Sequence, residues 1–355
     1  MTTLEVRRDD FAEARVLDEP PAVLADGQAL LAVERFGITA NVITYAVAGE
    51  AIGYWRFFPA SEDGWGRIPV WGFAEVVASA TGALDEGERL FGYLPMSSHL
   101  CLTPQEHGGA VVDAAPHRAE LPPVYNRYRR VGGSPAEGDA RELVLRPLAI
   151  TSFLLADQLV AEELAGARQV LVSSASSKTA LALAFELSRA GARVVGLTSA
   201  RNAAFVRSVG IYDEVVTYDG LEDVDGAVDT VAVDIAGDPA VRGRVHETFG
   251  DHLRRSVLVG ATHRAPGAFA TAPGTPGPRP EFFFAPDRVR VRAREWGPAE
   301  FEARVEAAFA ACSAWTEGWL RIEESAGADG ALAAYRAVLA GSVPPEVARV
   351  ASLAS

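Results

Sequence analysis

The first 145 residues alternate short β-rich runs with turn residues. Gln28–Arg35 (QALLAVER), Gly72–Ser79 (GFAEVVAS) and Arg89–Tyr93 (RLFGY) combine aliphatic and aromatic positions, and Gly and Pro separate them. That is the pattern of strands, and it predicts a partly open β-barrel. Ala156–Leu164 reads as helix, and the pattern then changes. QVLVSS, ARVVGLTS, DEVVTY, DTVAVDIAG and SVLVGAT read as short strands. TALALAFELSRAG, the helix between the first two, is apolar on every side and so must be buried; ARNAAFVRSVG is a second helix. Strands alternating with helices of about 10–15 residues predict βαβ units, a parallel sheet and right-handed crossovers. Residues 265–280 hold five prolines and three glycines, which predicts a long irregular loop of the kind that is usually functional or disordered. Beyond it, Phe301, Val305, Ala308, Cys312 and Trp315 recur at the spacing of an amphipathic helix. A helix over Gly330–Leu339 and a strand near Glu346–Ala351 close the chain, and no internal repeat is found.

At 355 residues the chain is long enough for two domains of about 150 residues each. Hydrophobic residues make up 49% and charged residues 23%, the balance of a globular protein with large cores. No run of apolar residues approaches the length of a membrane span. The N-terminus, MTTLEVRRDDFAEARVLDEP, lacks the apolar segment of a signal peptide. With only Cys101 and Cys312, far apart, the composition fits a reducing cytoplasm and excludes a multi-cysteine zinc lobe. The formal charge of −14 is wrong for wrapping nucleic acid or an anionic membrane, which both need a positive field. Of 33 basic residues only Lys178 is lysine. Either that is an accident of an arginine-biased composition, or a compact ammonium is needed where arginine does not fit.

Lys178 lies in Leu171–Thr179 (LVSSASSKT), between the first strand and the buried helix. In a dinucleotide-binding fold the pyrophosphate lies here, where free N–H groups and the helix dipole attract anions. The usual fingerprint is glycine-rich; here Ser173, Ser174, Ser176 and Ser177 bring hydroxyls, with Lys178 and Thr179 beside them. The plain alternative is a serine-rich N-cap. A nucleoside-triphosphate P-loop is rejected, because Val172 and Ser177 stand where its glycines belong. After the second strand come Thr198, Ser199, Ala200, Arg201 and Asn202, with no carboxylate for the ribose 2′-hydroxyl of NAD. Hydroxyls and an arginine suit a 2′-phosphate, and Tyr218, ending the third strand, is in reach of the same group. NADPH is the expected cofactor, with a solvated helix-start residue as the alternative for Arg201.

The stretches NVITYAVAGEAIGYWRFFP, IPVWGFAEVVAS, GERLFGY, RPLAITSFLLADQL and VLVSSASSKTALALAFEL resemble the medium-chain dehydrogenase/reductases, the superfamily of quinone oxidoreductases, enoyl reductases and alcohol dehydrogenases. LRPLAITSF, SSASSKTA, GLTSARNAAFV and FFFAPDRVRVRAREWG resemble a branch of that superfamily made up mostly of proteins of unknown function. The resemblance implies a GroES-like catalytic barrel from residues 1–146 completed by 319–355, and a Rossmann NADP-binding domain over 147–318. Substrate and nicotinamide would meet between them, and two copies would pair along the Rossmann sheet edge as a homodimer. The zinc-type cysteine and histidine ligands are missing, and His99, Cys101 and His107 match no common zinc spacing, so no metal is expected. In zinc-free relatives an Asn and a Tyr some thirteen residues later face the nicotinamide, which points to Asn41 and Tyr54. Tyr45, one turn from Asn41 if that stretch is helical, is the second candidate. A phenol there donates to a developing enolate, or else forms an aromatic lid with Trp55, Phe57 and Phe58. Thr151 and Ser152 correspond to the helix that touches the nicotinamide ribose. Gly260 and His263, at the end of a parallel strand, lie where open sheets bind ligands, although His263 also fits a capped loop histidine.

The expected function is reduction of an activated C=C bond in an enone, quinone or enoyl thioester, such as a secondary-metabolite intermediate. The aromatic run 54–58 with Trp65 and Trp71 points to a flat acceptor. Carbonyl reduction, or NADPH binding without catalysis, are the alternatives, since fold alone does not choose among them.

Overall fold

The structure is a computed structural model and describes residues 1–20, 22–133, 138–259 and 275–353. The chain divides into two compact units, Met1–Val144 with Arg321–Ser355, and Leu145–Leu320.

Among the described residues the first unit holds a three-stranded and a nine-stranded sheet. Strand Ala29–Ile38 is the hub of the larger one, pairing antiparallel with Pro69–Ser79, His99–Leu102 and Val347–Ser352. The last of these carries the chain's end back onto its beginning, and Arg321–Ala326 extends it in parallel. Alternation along these strands turns Leu31, Val33, Phe36, Val76, Leu90 and Leu94 into one core with Leu4, Ile68 and Met96. Strands Pro69–Ser79 and Arg89–Pro95 pair with Gly72 opposite Gly92 and Trp71 opposite Tyr93. Gly92 has a steric reason: a Cβ there would lie 2.3 Å from the ring of Tyr128.

The second unit is a six-stranded parallel sheet. Its spatial order is Glu214–Thr217, Arg193–Thr198, Gln169–Ser173, Thr230–Asp234, Leu253–Leu258, Glu281–Phe282. Numbered along the chain this is 3-2-1-4-5-6, the doubly wound order that opens a crevice between the first and fourth strands. Helix Lys178–Arg189 buries Ala180 to Ala184 and Leu187, as its apolar sequence requires. In helix Pro298–Thr316 the predicted stripe buries Val305, Ala308 and Cys312, and Phe301 and Trp315 pack against the same core.

Several elements differ from the sequence reading. The helix expected over Ala156–Leu164 is the end of Asp139–Ala161, which begins well inside the segment read as barrel and runs through Pro147. Its start is held by side chains rather than by propensity: the buried guanidinium of Arg89 grips Glu34 at 2.7 and 2.6 Å and Asp139 at 2.9 Å. By length and composition alone this helix is apolar enough to cross a membrane, and most of its apolar window is buried inside the protein. Helix Ala285–Trp296 and the strands before Gln28 were also not anticipated, and helix Ala40–Val47 entered only as the condition under which Tyr45 joins Asn41.

Candidate active site and cofactor loop

In the first unit, helix Ala40–Val47 brings Asn41 and Tyr45 onto one face, four residues apart. Thr39 donates to Asn41 Oδ1, which turns the amide nitrogen toward Tyr45, and Asn41 Nδ2 donates to the Tyr45 oxygen at 3.2 Å. Trp71, from strand Pro69–Ser79, donates to the same oxygen through Nε1 at 3.2 Å. Tyr54 is buried beside them, its ring centroid 4.8 Å from that of Tyr45, and its hydroxyl pairs with Tyr125 at 3.0 Å. Tyr93 fills the centre: its ring stacks on Tyr125 at 4.7 Å and meets Tyr45 edge-on at 5.5 Å. The Tyr93 hydroxyl is buried and has no hydrogen-bond partner among the described residues. Burial pushes all four phenols upward, Tyr93 and Tyr125 well above the usual range.

Tyr93 and Tyr125 went unremarked in the sequence; strand pairing and a 3₁₀ turn over Pro123–Asn126 bring them in. The rest of the aromatic run does something else. Trp55, Phe57, Phe58 and Trp65 are buried in the core, so they form no acceptor surface, whereas Trp71 is half-buried. Among the described residues no cluster of His, Cys, Asp or Glu is placed to hold a metal ion.

In the second unit the serine loop follows strand Gln169–Ser173. Ser174 takes φ +54°, a left-handed conformation that costs a non-glycine residue about 1–2 kcal/mol. Its N–H donates to the Tyr218 hydroxyl at 3.1 Å, so Tyr218 braces the loop. Ser176 accepts from Asn202 at 2.8 Å, and Ser177 is the N-cap of helix Lys178–Arg189, accepting from Ala180. The N–H groups of Ser176 and Thr179 make no hydrogen bond among the described residues. Gly196 of the neighbouring strand lets the loop close in, since a Cβ there would lie 2.9 Å from the Tyr212 ring and 3.0 Å from Ala175. Thr198 is buried at the end of that strand. Next to it, Ser199 precedes helix Ala200–Val209 without capping it, and its buried hydroxyl has no partner among the described residues. Arg201 is exposed in the first turn of the helix. Thr151 bonds back to the Pro147 carbonyl at 2.8 Å and Ser152 to that of Thr179 at 2.9 Å. Gly260 and His263 lie outside the described residues.

Ser173 points inward. It donates to Asp234 at 2.9 Å and accepts the N–H groups of Ile235 and Ala236. Asp234 also takes Arg242 at 3.0 Å. This network ties the first parallel strand to the fourth beneath the crevice, and nothing in the sequence pattern announced it. Further back, His246 is 0% exposed, its Nδ1 2.7 Å from the Pro276 carbonyl and its Nε2 2.9 Å from Ser256 Oγ. A carbonyl only accepts, so Nδ1 carries the proton; burial disfavours a second proton, which leaves the ring neutral with Nε2 accepting from Ser256.

Burial lowers the His246 pKa, so below about pH 6.5, the ordinary histidine value, the unfolded chain gains a proton that the folded one does not. Stability is therefore expected to fall as pH drops from about 7 to 5, by at most about 1.4 kcal/mol per pH unit for this group. Urea midpoints measured across that range should lose part of their slope in His246→Gln. An unchanged slope would show that this histidine does not contribute.

A GroES-like barrel completed by the chain's end, with a doubly wound 3-2-1-4-5-6 sheet inserted, is the fold of the medium-chain dehydrogenase/reductases. Residues 36–344 match a family described as "Protein of unknown function (DUF2855)", and the chain belongs to that family. No curated protein sequence matches it. Similar solved structures include CurA from Vibrio vulnificus in complex with NADPH (13% identity, 100% of both chains covered, TM-score 0.63). The quinone oxidoreductase from Coxiella burnetii is similar at 16% identity, 99% of both chains and TM-score 0.56. So is the yhdH oxidoreductase from Salmonella enterica in complex with NADP, at 14% identity, 99% of both chains and TM-score 0.56.

Proposed function

We propose that the protein is a zinc-free, NADPH-dependent reductase that adds hydride to an activated C=C bond such as that of an enone, quinone or enoyl thioester. The observation that carries this reading is the buried hydroxyl of Ser199, which has no partner among the described residues, at the end of a strand where no carboxylate follows. A buried hydroxyl left unmatched costs about 1–3 kcal/mol, and a 2′-phosphate is a partner that removes that cost. The uncommitted N–H groups of Ser176 and Thr179 at the N-terminus of helix Lys178–Arg189 suit a pyrophosphate. NADPH would be held by these groups, Lys178, Ser199 and Arg201. When bound it supplies the hydride. One phenol of the barrel unit, Tyr45 or Tyr54, would supply the proton. Support for the acceptor class comes from the similar structures, one of them a quinone oxidoreductase and one holding NADPH.

The test is cofactor titration followed by an acceptor panel. NADPH is expected to bind at least about tenfold more tightly than NADH, about 1.4 kcal/mol. Arg201→Ala should weaken NADPH by a similar factor and leave NADH unchanged. Ser199→Ala should weaken NADPH without lowering the melting temperature, because the variant removes an unsatisfied buried group. Equal affinities for the two cofactors in the wild type would overturn the cofactor assignment, and reduction of ketones but no enone or quinone would overturn the C=C assignment. The homodimer belongs to the same proposal: Glu281–Phe282 is a two-residue edge strand with Phe282 exposed, and sedimentation of the intact protein decides it.

A further inference from the structure

The serines of the cofactor loop differ in what their hydroxyls have left to give. Ser173 donates to Asp234 and accepts two backbone N–H groups, so it is spent. Ser177 is turned to Ala180 as the N-cap of helix Lys178–Arg189. Ser176 is held from a different element. Asn202 Nδ2, on helix Ala200–Val209, donates to its oxygen at 2.8 Å across 26 residues. A hydroxyl carries one proton and two lone pairs. With the Asn202 amide on a lone pair, the Ser176 proton is committed to no described residue. The residue before it is fixed on both sides: the Ala175 N–H donates to the Leu197 carbonyl at 3.0 Å, and its carbonyl accepts from Tyr212 at 3.0 Å. The loop is thereby pinned to the end of the second strand, two residues short of Ser199. Asn202 belongs to the same turn as Ser199 and Arg201, its N–H donating to the Ser199 carbonyl at 3.0 Å. The Ser199 hydroxyl is buried and has no partner among the described residues. Two hydroxyls with protons to give and one guanidinium are thus tied into one hydrogen-bonded corner, and no carboxylate stands between Thr198 and Asn202. The ligand chemistry that suits such a corner is a phosphate, to which hydrogen bonds are roughly twice as strong as between neutral groups.

We propose that Ser176 is a further residue of the 2′-phosphate seat beside Ser199 and Arg201, and that Asn202 is the positioning residue that holds the Ser176 oxygen so that its O–H faces that phosphate. The proposal rests on the NADPH reading and deepens it. In the glycine-rich fingerprint the loop lends backbone N–H groups to the pyrophosphate, which NADPH and NADH share, so that loop does not discriminate between them. Here a side chain of the loop takes part in the choice. It does so because Asn202 reaches back from the second helix and occupies the lone pair, which leaves the hydroxyl the role of donor. A serine without that partner turns its proton toward any nearby acceptor; the amide fixes the direction before the ligand arrives, and less ordering is then needed on binding.

The experiment measures by calorimetry how the full-length protein binds NADPH, NADH, adenosine 2′,5′-bisphosphate and adenosine 5′-monophosphate. Ser176→Ala is expected to weaken NADPH and the bisphosphate about tenfold and to leave NADH and the monophosphate within about twofold. Asn202→Ala should weaken the same two ligands about fivefold. The double variant should bind them within about twofold of Ser176→Ala, because Asn202 acts through Ser176; additive losses overturn the role given to Asn202. Both residues are half-buried, so the melting temperature serves as the control. A merely structural tie lowers it and weakens all four ligands alike, and that result overturns the proposal. Equal losses for NADPH and NADH at an unchanged melting temperature move Ser176 to the pyrophosphate and overturn it too, as does unchanged affinity in Ser176→Ala. Failure of the NADPH reading shows separately, as wild-type protein that binds NADPH no more tightly than NADH.

Discussion

Replacing Arg118 by Met is expected to cost about 3–5 kcal/mol of stability, because it leaves a buried carboxylate without its cation. Arg118 is 1% exposed and Asp113 is 3% exposed, and their ion pair measures 2.9 Å. The guanidinium also donates to the Phe57 carbonyl and the Tyr128 hydroxyl, both at 3.1 Å, and lies 4.5 Å from the centre of the Phe58 ring. Tyr128 passes its own proton to the Tyr93 carbonyl at 2.7 Å. Arg118 thus braces two segments that carry the phenol cluster. The effect is read from denaturant unfolding followed by fluorescence, taking the transition of the barrel unit. The double variant Asp113→Asn with Arg118→Met should lose less than the sum of the single variants, since the stranded charge is then gone. A loss below about 1 kcal/mol for Arg118→Met would place this pair with ordinary surface ion pairs.

If Tyr45 rather than Tyr54 supplies the proton, Tyr45→Phe is expected to lower turnover by about 10²–10³, the usual effect of removing one donor to a developing oxyanion. The ring remains, so its contacts with Tyr54 and Tyr93 survive. The change leaves the N–H groups of Trp71 and Asn41 without their acceptor, a folding cost of about 1–2 kcal/mol and so a modest fall in melting temperature. NADPH affinity should not change. A rate loss of that size at saturating NADPH, in protein that still melts near wild type, is a chemical effect. The pH profile gives a second readout. Burial raises the Tyr45 pKa, so the phenol keeps its proton above the ordinary tyrosine value of about 10, and turnover should show no alkaline fall from this group below that pH. An alkaline fall between pH 7 and 9 that disappears in Tyr45→Phe would overturn the assignment.

The sequence by itself carried the Rossmann half and the position of its loop. Runs such as QVLVSS and TALALAFELSRAG differ in hydrophobic period, and period is a local property set by backbone geometry. The stripe from Phe301 to Trp315 was legible for the same reason, and so was the juxtaposition of Asn41 with Tyr45, which needs only one helical turn. The tertiary structure decided what lies opposite what. Alternation in a strand says which face a residue takes but not its neighbour across the ladder, so the meeting of Trp71 with Tyr93 came only with the register. Trp71 reaches Tyr45 across 26 residues and Tyr125 reaches Tyr54 across 71. The serines of LVSSASSKT were visible as hydroxyls, but their division of labour was not. Ser173 turns under the sheet to Asp234 and Ser177 caps its helix, while Ser199, after the second strand, keeps a buried hydroxyl with no partner among the described residues. Side-chain hydrogen bonds are short and directional, and their partners here come from elements that touch only once the chain has folded.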